Sequence, residues 1–316
     1  MEISKNSKNT AIQIIIKSTY LLFFLIMFSC EKESSEADLK TGIWRGEIIA
    51  QNNPIPFNFE IQKNQDLYKI NLINGEEILE IDEVKVLGDS LFFDMHIFDI
   101  SVKAKINDSI LTGTYNKNYA ENYTLPFKAL YNKKGRFDQV QSNKNFDGTW
   151  ETVFKSEDGN ETPAIGIFKT KGNNLTGTFL LKTGDYRYLD GYTENNTMHL
   201  YTFDGNHIYK FKATKENDSL IKGQFWSGKT GYKTFIAKKN DHARLPDANG
   251  LTFLKEGFDK IDFSFPGLDG NPVSLNDEKY KNKVVILQIL GTWCPNCMDE
   301  TKFYKQWYDK NKHQDV

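Results

Sequence analysis

The sequence has few cysteines, almost no net charge and no long apolar run. Three cysteines among 316 residues are too few for the disulfide framework of a small secreted domain. The 40 basic and 42 acidic residues leave a net charge of −2, so the basic excess that is typical of nucleic-acid-binding proteins is missing, and no nucleic-acid partner is expected. The uninterrupted apolar run at residues 20–28 is well below the roughly 20 residues that a membrane-spanning helix needs.

That apolar run has the features of an export signal. Three lysines precede it, as in secretory signals, and its end, Met27-Phe28-Ser29-Cys30, resembles the lipobox of bacterial lipoproteins, whose cysteine is lipidated. We expect residues 1–30 to be a lipoprotein signal peptide with Cys30 as the lipidation site, and residues 31–40 to be a polar tether. A plain signal peptide and a transmembrane anchor are the alternatives. All three place the rest of the chain outside the cytoplasm, with the periplasmic side of a membrane as the expected location.

The middle of the chain repeats a pattern of β-strands. Gly42-Ile43-Trp44 corresponds to Gly148-Thr149-Trp150, 106 residues later, and a turn at Asp108 corresponds to a turn at Asp218. Alternating runs such as residues 57–61 have the period of half-buried strands, and polar turns join them. The sequence therefore predicts two tandem antiparallel β-barrel or sandwich modules, at residues 41–138 and 145–240.

The Gly-x-Trp opening and a late arginine in each module resemble lipocalin-like barrels, where the tryptophan closes the barrel base and an arginine packs over it. The resemblance implies cation–π pairs of Trp44 with Arg136 and of Trp150 with Arg244. Two hypotheses stay open for the modules: spacers with ordinary core tryptophans, or modules that bind a ligand or partner. The histidines of this region are scattered, so no metal site is predicted.

A linker at residues 241–257 leads to a segment with candidate redox chemistry. The apolar run 283–290 is typical of a strand buried on both faces of a parallel sheet, and Trp293-Cys294-Pro295-Asn296-Cys297 follows it. Aromatic residues at helical spacing come next. This order predicts Cys294 at a helix N-terminus, which favours its thiolate as a nucleophile, while Cys297 would resolve the mixed disulfide. Pro295 suits the first helical turn.

At these residues the chain resembles the TlpA/ResA group of thioredoxin-like, membrane-tethered thiol–disulfide reductases, of the type found in Bacteroidota. The resemblance implies Cys294 as nucleophile, Cys297 as resolving thiol and Glu300 as the active-site carboxylate, flanked by Trp293 and Pro295. It implies no cofactor beyond the redox-active disulfide. It further implies a membrane thiol–disulfide electron donor, and substrates such as apocytochrome c or oxidised periplasmic proteins.

The sequence thus predicts a mainly β amino-terminal region of two tandem modules, followed by a partial α/β thioredoxin-like fold at residues 258–316. The remaining strands and the cis-proline loop of that fold would lie beyond Val316, so we expect a truncated domain. The predicted function is an extracytoplasmic thiol–disulfide oxidoreductase, impaired in this chain. The alternative is a lipid-anchored β-barrel binding lipoprotein with a non-functional redox remnant. A zinc half-site and a static disulfide are the other hypotheses for the cysteine pair.

Overall fold

The computed structural model describes residues 38–138, 141–247, 250, 252–291 and 294–312. Cys30 and the predicted signal peptide lie outside these residues, as does Trp293. Strands dominate because the sequence alternates apolar and polar side chains. In residues 100–107, for example, Ile100, Val102, Ala104 and Ile106 are buried between more exposed neighbours, which is the pattern of a sheet with one face on the core.

Eight antiparallel strands close the first barrel. Each strand pairs with the next, and the first pairs also with the eighth, so that Trp44 lies opposite Phe59 on one side and Tyr131 on the other. Closure leaves no sheet edge with unpaired backbone groups. The strands are β1 (Gly42–Ala50), β2 (Asn53–Asn64), β3 (Leu67–Asn74), β4 (Glu77–Leu87), β5 (Ser90–Met95), β6 (Ile100–Asn107), β7 (Ile110–Lys117) and β8 (Thr124–Tyr131).

Eight further antiparallel strands close the second barrel, through the pairing of its second and third strands. An additional strand of two residues pairs only at the edge of the third. The strands are β9 (Gly148–Ser156), β10 (Glu161–Lys171), β11 (Asn174–Leu181), the short β12 (Gly184–Asp185), β13 (Leu189–Glu194), β14 (Thr197–Phe203), β15 (Ile208–Asn217), β16 (Leu220–Ser227) and β17 (Gly231–Lys239).

The two barrels begin with the same local structure, a glycine of positive φ followed two residues later by a buried tryptophan. Gly42 and Gly148 have φ values of 115° and 109°, which a residue with a side chain adopts only under strain. Two residues later, a fully buried tryptophan donates its ring N–H to the carbonyl oxygen four residues before it. The N···O distances are 3.0 Å for Trp44 and 2.8 Å for Trp150, so each indole is satisfied inside an apolar core.

The arginines do not take the lipocalin-like positions. The guanidinium of Arg136 lies 5.5 Å from the ring of Phe137, rather than over Trp44. Over Trp150 the cation is the ammonium of Lys239, at 5.0 Å, while Arg244 donates to the carbonyl of the neighbouring Ala243. Lys239, on the last strand of the second barrel, therefore makes the cation–π contact that the resemblance predicted for Arg244.

A hairpin of the second barrel enters the open end of the first. Phe203, at the end of β14, is 3% exposed and belongs to the core of the first barrel, with its ring centroid 4.3 Å from that of Phe57. In the turn that follows, the carbonyl of Gly205 accepts a hydrogen bond from the hydroxyl of Tyr115 at 3.0 Å. The ammonium of Lys117 donates to Asn206 Oδ1 at 2.8 Å. These contacts fix one barrel against the other.

The carboxy-terminal segment does not form an α/β domain. Its described residues contain a hairpin of β18 (Ser264–Pro266) with β19 (Pro272–Ser274), at the turn expected for Asp269-Gly270, and one helix, α1 (Pro295–Asn311). Residues 283–290 are not in a strand, and Ile289 is 96% exposed. A parallel strand is buried only when neighbouring strands and covering helices surround it, and the described residues supply neither. The predicted partial thioredoxin-like fold, and the resemblance to the TlpA/ResA group, are therefore wrong.

Replacing Phe203 with alanine tests whether the inserted hairpin holds the barrels together. We expect Phe203→Ala to lower the free energy of unfolding by about 3–5 kcal/mol, because it leaves a cavity in a packed core. The two barrels should also melt more independently in differential scanning calorimetry.

The matched control is Phe253→Ala, because Phe253 is 83% exposed and should change stability by less than about 0.5 kcal/mol. Equal effects of the two substitutions would contradict the role of Phe203.

Candidate ligand-binding groove between the barrels

The barrel interiors are filled by their own side chains. The void inside the first barrel, between residues such as Phe57, Phe93 and Phe203, has a volume of about 10 Å³, which is enough for one water molecule at most. The second barrel is packed with the fully buried rings of Phe154, Phe179, Phe211 and Phe235, among others. An eight-stranded barrel is just wide enough to be filled in this way. A ligand therefore has space on the surface of the barrels rather than inside them.

Two adjoining clefts lie at that junction, and we refer to them together as the inter-barrel groove. The first cleft, of about 410 Å³, lies between the two barrels and is lined by Asn58 and Arg136 of the first and Asn173 of the second, among others. The second, of about 430 Å³, lies against the β11–β13 region and the start of α1. Gly75 and Asp190 line both clefts. Both volumes lie in the roughly 300–1,000 Å³ range of small-molecule sites.

Unpartnered polar atoms concentrate in this groove. Among the described residues, nine buried side-chain nitrogen or oxygen atoms have no hydrogen-bond partner, and six of the nine belong to residues that line the groove. Buried polar atoms are almost always paired in folded proteins, so such a cluster requires an explanation. The six are Asn58 Oδ1, Arg136 Nη1 and Nη2, Thr178 Oγ1, Arg187 Nε and Asp190 Oδ1.

Arg136 and Asp190 face each other across the first cleft without a direct hydrogen bond. Their closest nitrogen and oxygen atoms are 3.8 Å apart, which is the distance of an ion pair and beyond that of a direct hydrogen bond. Arg136 is held in place by its Nε, which donates to the carbonyl of Pro56 at 2.8 Å. Burial raises the pKa of Asp190, against the opposing effect of the Arg136 guanidinium. Both charged side chains are thus largely desolvated and have free hydrogen-bonding capacity.

Arg187 lines the second cleft and contacts the parts of the chain that surround it. It is 9% exposed, has a left-handed backbone with φ of 58° and donates to the carboxylate of Glu77 on the first barrel. Its other terminal nitrogen contacts Asn296 and lies 3.3 Å from Asp299 Oδ2, at the start of α1. Burial raises the pKa of Glu77, although the Arg187 charge opposes the shift. One arginine therefore joins the two barrels and the carboxy-terminal helix around this cleft.

The residues predicted to carry redox chemistry lie together at the start of α1. Cys294 and Cys297 form a disulfide with Cα atoms 5.3 Å apart, and the helix begins at Pro295. Glu300 is exposed, and its Oε2 accepts a hydrogen bond from Gln288 at 3.1 Å. The roles assigned to Cys294, Cys297 and Glu300 stay predictions from the sequence, as do the electron donor and the protein substrates.

The described residues show neither a metal-binding cluster nor a membrane-spanning helix. Within the ranges that the structure describes, no group of three or more histidine, cysteine or acidic side chains is arranged to hold a metal ion. In the same ranges, every helix is too short or too polar to cross a membrane.

Comparison with known proteins gives no family. No protein-family model and no curated protein matches the chain. A redesigned β-barrel is similar over 33% of this chain and 99% of its own, at 15% identity and a TM-score of 0.26. Another redesigned β-barrel, bound to DFHBI, covers 31% of this chain and 96% of its own, at 16% identity and a TM-score of 0.25. A protein of unknown function from the DUF3598 family of Nostoc punctiforme covers 63% and 95%, at 8% identity and a TM-score of 0.23. At TM-scores this low, the similarities carry no functional argument.

The oxidoreductase prediction is overturned by the fold. A thioredoxin-type site requires a central parallel sheet beneath the cysteine loop, and the described residues contain two closed antiparallel barrels and a single α-helix instead. The chain has the architecture of a β-barrel protein, which corresponds to the binding-protein alternative rather than to the enzyme.

Of the groove residues, the sequence marks only Arg136, as the arginine that follows the last strand of the first module. The lipocalin-like resemblance predicts Trp44 as its partner, whereas the structure places Asp190 beside it. Asp190 and Arg187 have no flanking motif that marks them. They become neighbours of Arg136 and Glu77 only when the two barrels dock, so no local spacing could reveal the groove.

Asp190→Asn tests the electrostatics of the first cleft. Because burial raises the pKa of Asp190 above its ordinary value of 3.8, the folded state binds this proton more tightly than the unfolded state. The resulting stabilisation is present at low pH and is lost as pH rises through the folded pKa. We expect the free energy of unfolding of the original chain, measured with urea, to lose this contribution between about pH 4 and about pH 7. The free energy of unfolding of Asp190→Asn should not show the loss.

Asp218→Asn is the control. Asp218 is exposed, and a hydrogen bond from Lys215 lowers its pKa, so its contribution to stability has the opposite sign and is small. Parallel stability profiles for the original chain and Asp190→Asn would show that Asp190 is not desolvated.

Proposed function

We propose that this chain is a binding protein that takes a small polar ligand into the inter-barrel groove. The observation that carries the proposal is that six unpartnered, buried polar atoms belong to residues that line two adjoining clefts. Leaving a buried donor or acceptor unpaired costs about 1–3 kcal/mol. A ligand that supplies the missing partners recovers that free energy on binding.

The architecture supports a site between the barrels rather than inside either of them. The first barrel is filled by its own core and by Phe203 from the second. The groove instead has walls from both barrels, held by the inserted hairpin and by the contacts of Arg187. Such a preformed concave site limits the ordering cost of binding.

The proposed setting is extracytoplasmic, with the chain anchored to a membrane through a lipid on Cys30. The support is the sequence alone: a basic segment, a short apolar run and a lipobox-like cysteine. The polar segment that follows would separate the barrels from the bilayer and leave the groove open to soluble ligands.

Cys30→Ser tests the anchor. We expect the original chain, expressed in a bacterium with lipoprotein processing, to incorporate labelled palmitate and to sediment with membranes, because stable lipid anchoring requires the modified cysteine. Cys30→Ser should lose the label and move to the soluble fraction. Cys297→Ser is the matched control and should keep both properties. Equal palmitate incorporation into Cys30→Ser would refute the assignment.

Thr178→Val tests the groove. Thr178 lines the second cleft and its buried hydroxyl lacks a partner, so the substitution removes no hydrogen bond within the described protein and should not destabilise it. Thermal-shift assays with monosaccharides, disaccharides, amino acids and dicarboxylates, followed by calorimetry of the compounds that raise the melting temperature, identify a ligand. We expect Thr178→Val to raise Kd for that ligand about fivefold, which corresponds to a hydrogen bond of about 1 kcal/mol.

Thr234→Val is the matched control, since Thr234 is exposed on β17 and does not line the groove. It should leave Kd unchanged. If no compound of the panel binds, or if both valine variants bind equally well, the groove is not the binding site.

A further inference from the structure

We infer that the ligand of the inter-barrel groove is a neutral oligosaccharide of at least two sugar units. This inference rests on the proposed function and specifies its ligand class. Three properties of the groove lead to it: the balance of its charges, the mixture of donors and acceptors, and an exposed aromatic ring.

The charges that line the groove cancel. Lys134, Arg136, Lys171 and Arg187 are opposed by Glu76, Asp185, Asp190 and Asp299. The two charges most deeply buried in the first cleft, those of Arg136 and Asp190, already oppose each other at 3.8 Å. An anion such as a phosphate would be attracted by Arg136 and repelled by Asp190. A cation would be attracted by Asp190 and repelled by Arg136. A ligand without net charge avoids this conflict.

Each cleft offers both donors and acceptors. In the first cleft the unpartnered atoms are the two terminal nitrogens of Arg136, which only donate, and the oxygens of Asn58 and Asp190, which accept. In the second, Arg187 Nε donates and the hydroxyl of Thr178 does either. Sugar hydroxyls both donate and accept, and a sugar ring has several at short separations. A zwitterionic amino acid has one donor group and one acceptor group, and therefore satisfies one cleft at most.

An aromatic ring is exposed beside these polar atoms. Tyr188 is 49% exposed and lines the second cleft. Its backbone is fixed, because its carbonyl accepts a hydrogen bond from the hydroxyl of Thr202. Its side chain stands against Gly75, where an added Cβ would lie 3.2 Å from the Cβ of Tyr188. The C–H face of a sugar ring is apolar and packs on an aromatic face of this kind, which buries area that Tyr188 otherwise exposes.

The size of the groove sets the length of the ligand. The clefts have volumes of about 410 and 430 Å³ and share Gly75 and Asp190, so one chain of sugars passes from one to the other. Asp190 lies at the passage, where its carboxylate can accept from a hydroxyl of either unit. A single sugar lies in one cleft and leaves the unpartnered atoms of the other unsatisfied.

The experiment is calorimetric titration of the full chain with maltose, cellobiose and chitobiose, beside glucose, glycylglycine and inorganic phosphate. We expect at least one disaccharide to bind, with Kd at least tenfold lower than that of glucose, and no binding of phosphate. Tyr188→Ala should raise the disaccharide Kd about tenfold while Tyr188→Phe keeps it within about twofold, because the phenyl ring retains the packing face. The melting temperature of each variant shows whether it is folded.

The outcomes separate this inference from the function on which it rests. If glycylglycine or phosphate binds and Thr178→Val weakens that binding, the groove is a binding site but its ligand is not a sugar. If a disaccharide binds to Tyr188→Ala and to Thr178→Val as tightly as it binds to the original chain, it binds elsewhere and the inference is wrong. If none of the disaccharides binds, the inference is likewise overturned.

Discussion

The insertion of Phe203 and its turn into the open end of the first barrel is the contact on which the other features depend. Two closed barrels have no free sheet edges and need a specific side-chain contact to dock at a fixed angle. The inserted ring supplies apolar area, and the turn supplies backbone and amide oxygens for Tyr115 and Lys117. The environment is dry enough that burial lowers the pKa of Lys117 to about 8. With that contact in place, Asp190 of the second barrel comes to lie opposite Arg136 of the first.

The strand content and the repeat could be predicted because both are local properties of the sequence. Alternation of period two, turns at Asp108 and Asp218, and the glycine before each tryptophan need only a few neighbouring residues to be recognised. The docking of the barrels is different. Phe203 has the same local context as other strand-end aromatics, and nothing within its hairpin shows that it belongs to the core of another barrel. The groove cannot be predicted from local sequence either, because its two walls come together only when the barrels dock.

The thioredoxin-like prediction failed for a related reason. Residues 283–290, the two cysteines and the aromatic helix all have the local character of that fold, and α1 does begin at Pro295. A parallel sheet, however, is made of strands that are distant in sequence, and burial of residues 283–290 depends on those strands. Among the described residues, α1 contacts Gln288 of this segment and Arg187 of the second barrel, but no strand of a sheet. The local resemblance thus predicted the helix correctly, but not the sheet that would make the segment a domain.

The scarcity of arginine is a sequence signal that bears on the groove. Only four of the 40 basic residues are arginines, and three of these, Arg45, Arg136 and Arg187, are at most 9% exposed. In a chain that uses lysine at nearly every exposed basic position, an arginine marks a position where a planar, weakly hydrated cation with several fixed donors is needed. Burial of a guanidinium is costly unless carboxylates and other acceptors compensate it. The protein's own acceptors leave part of Arg45, Arg136 and Arg187 unpaired, and two of these three arginines line the inter-barrel groove. Under the proposed function, the unpaired donors of Arg136 and Arg187 are the ones that a ligand would satisfy, so the scarcity of arginine points to the groove.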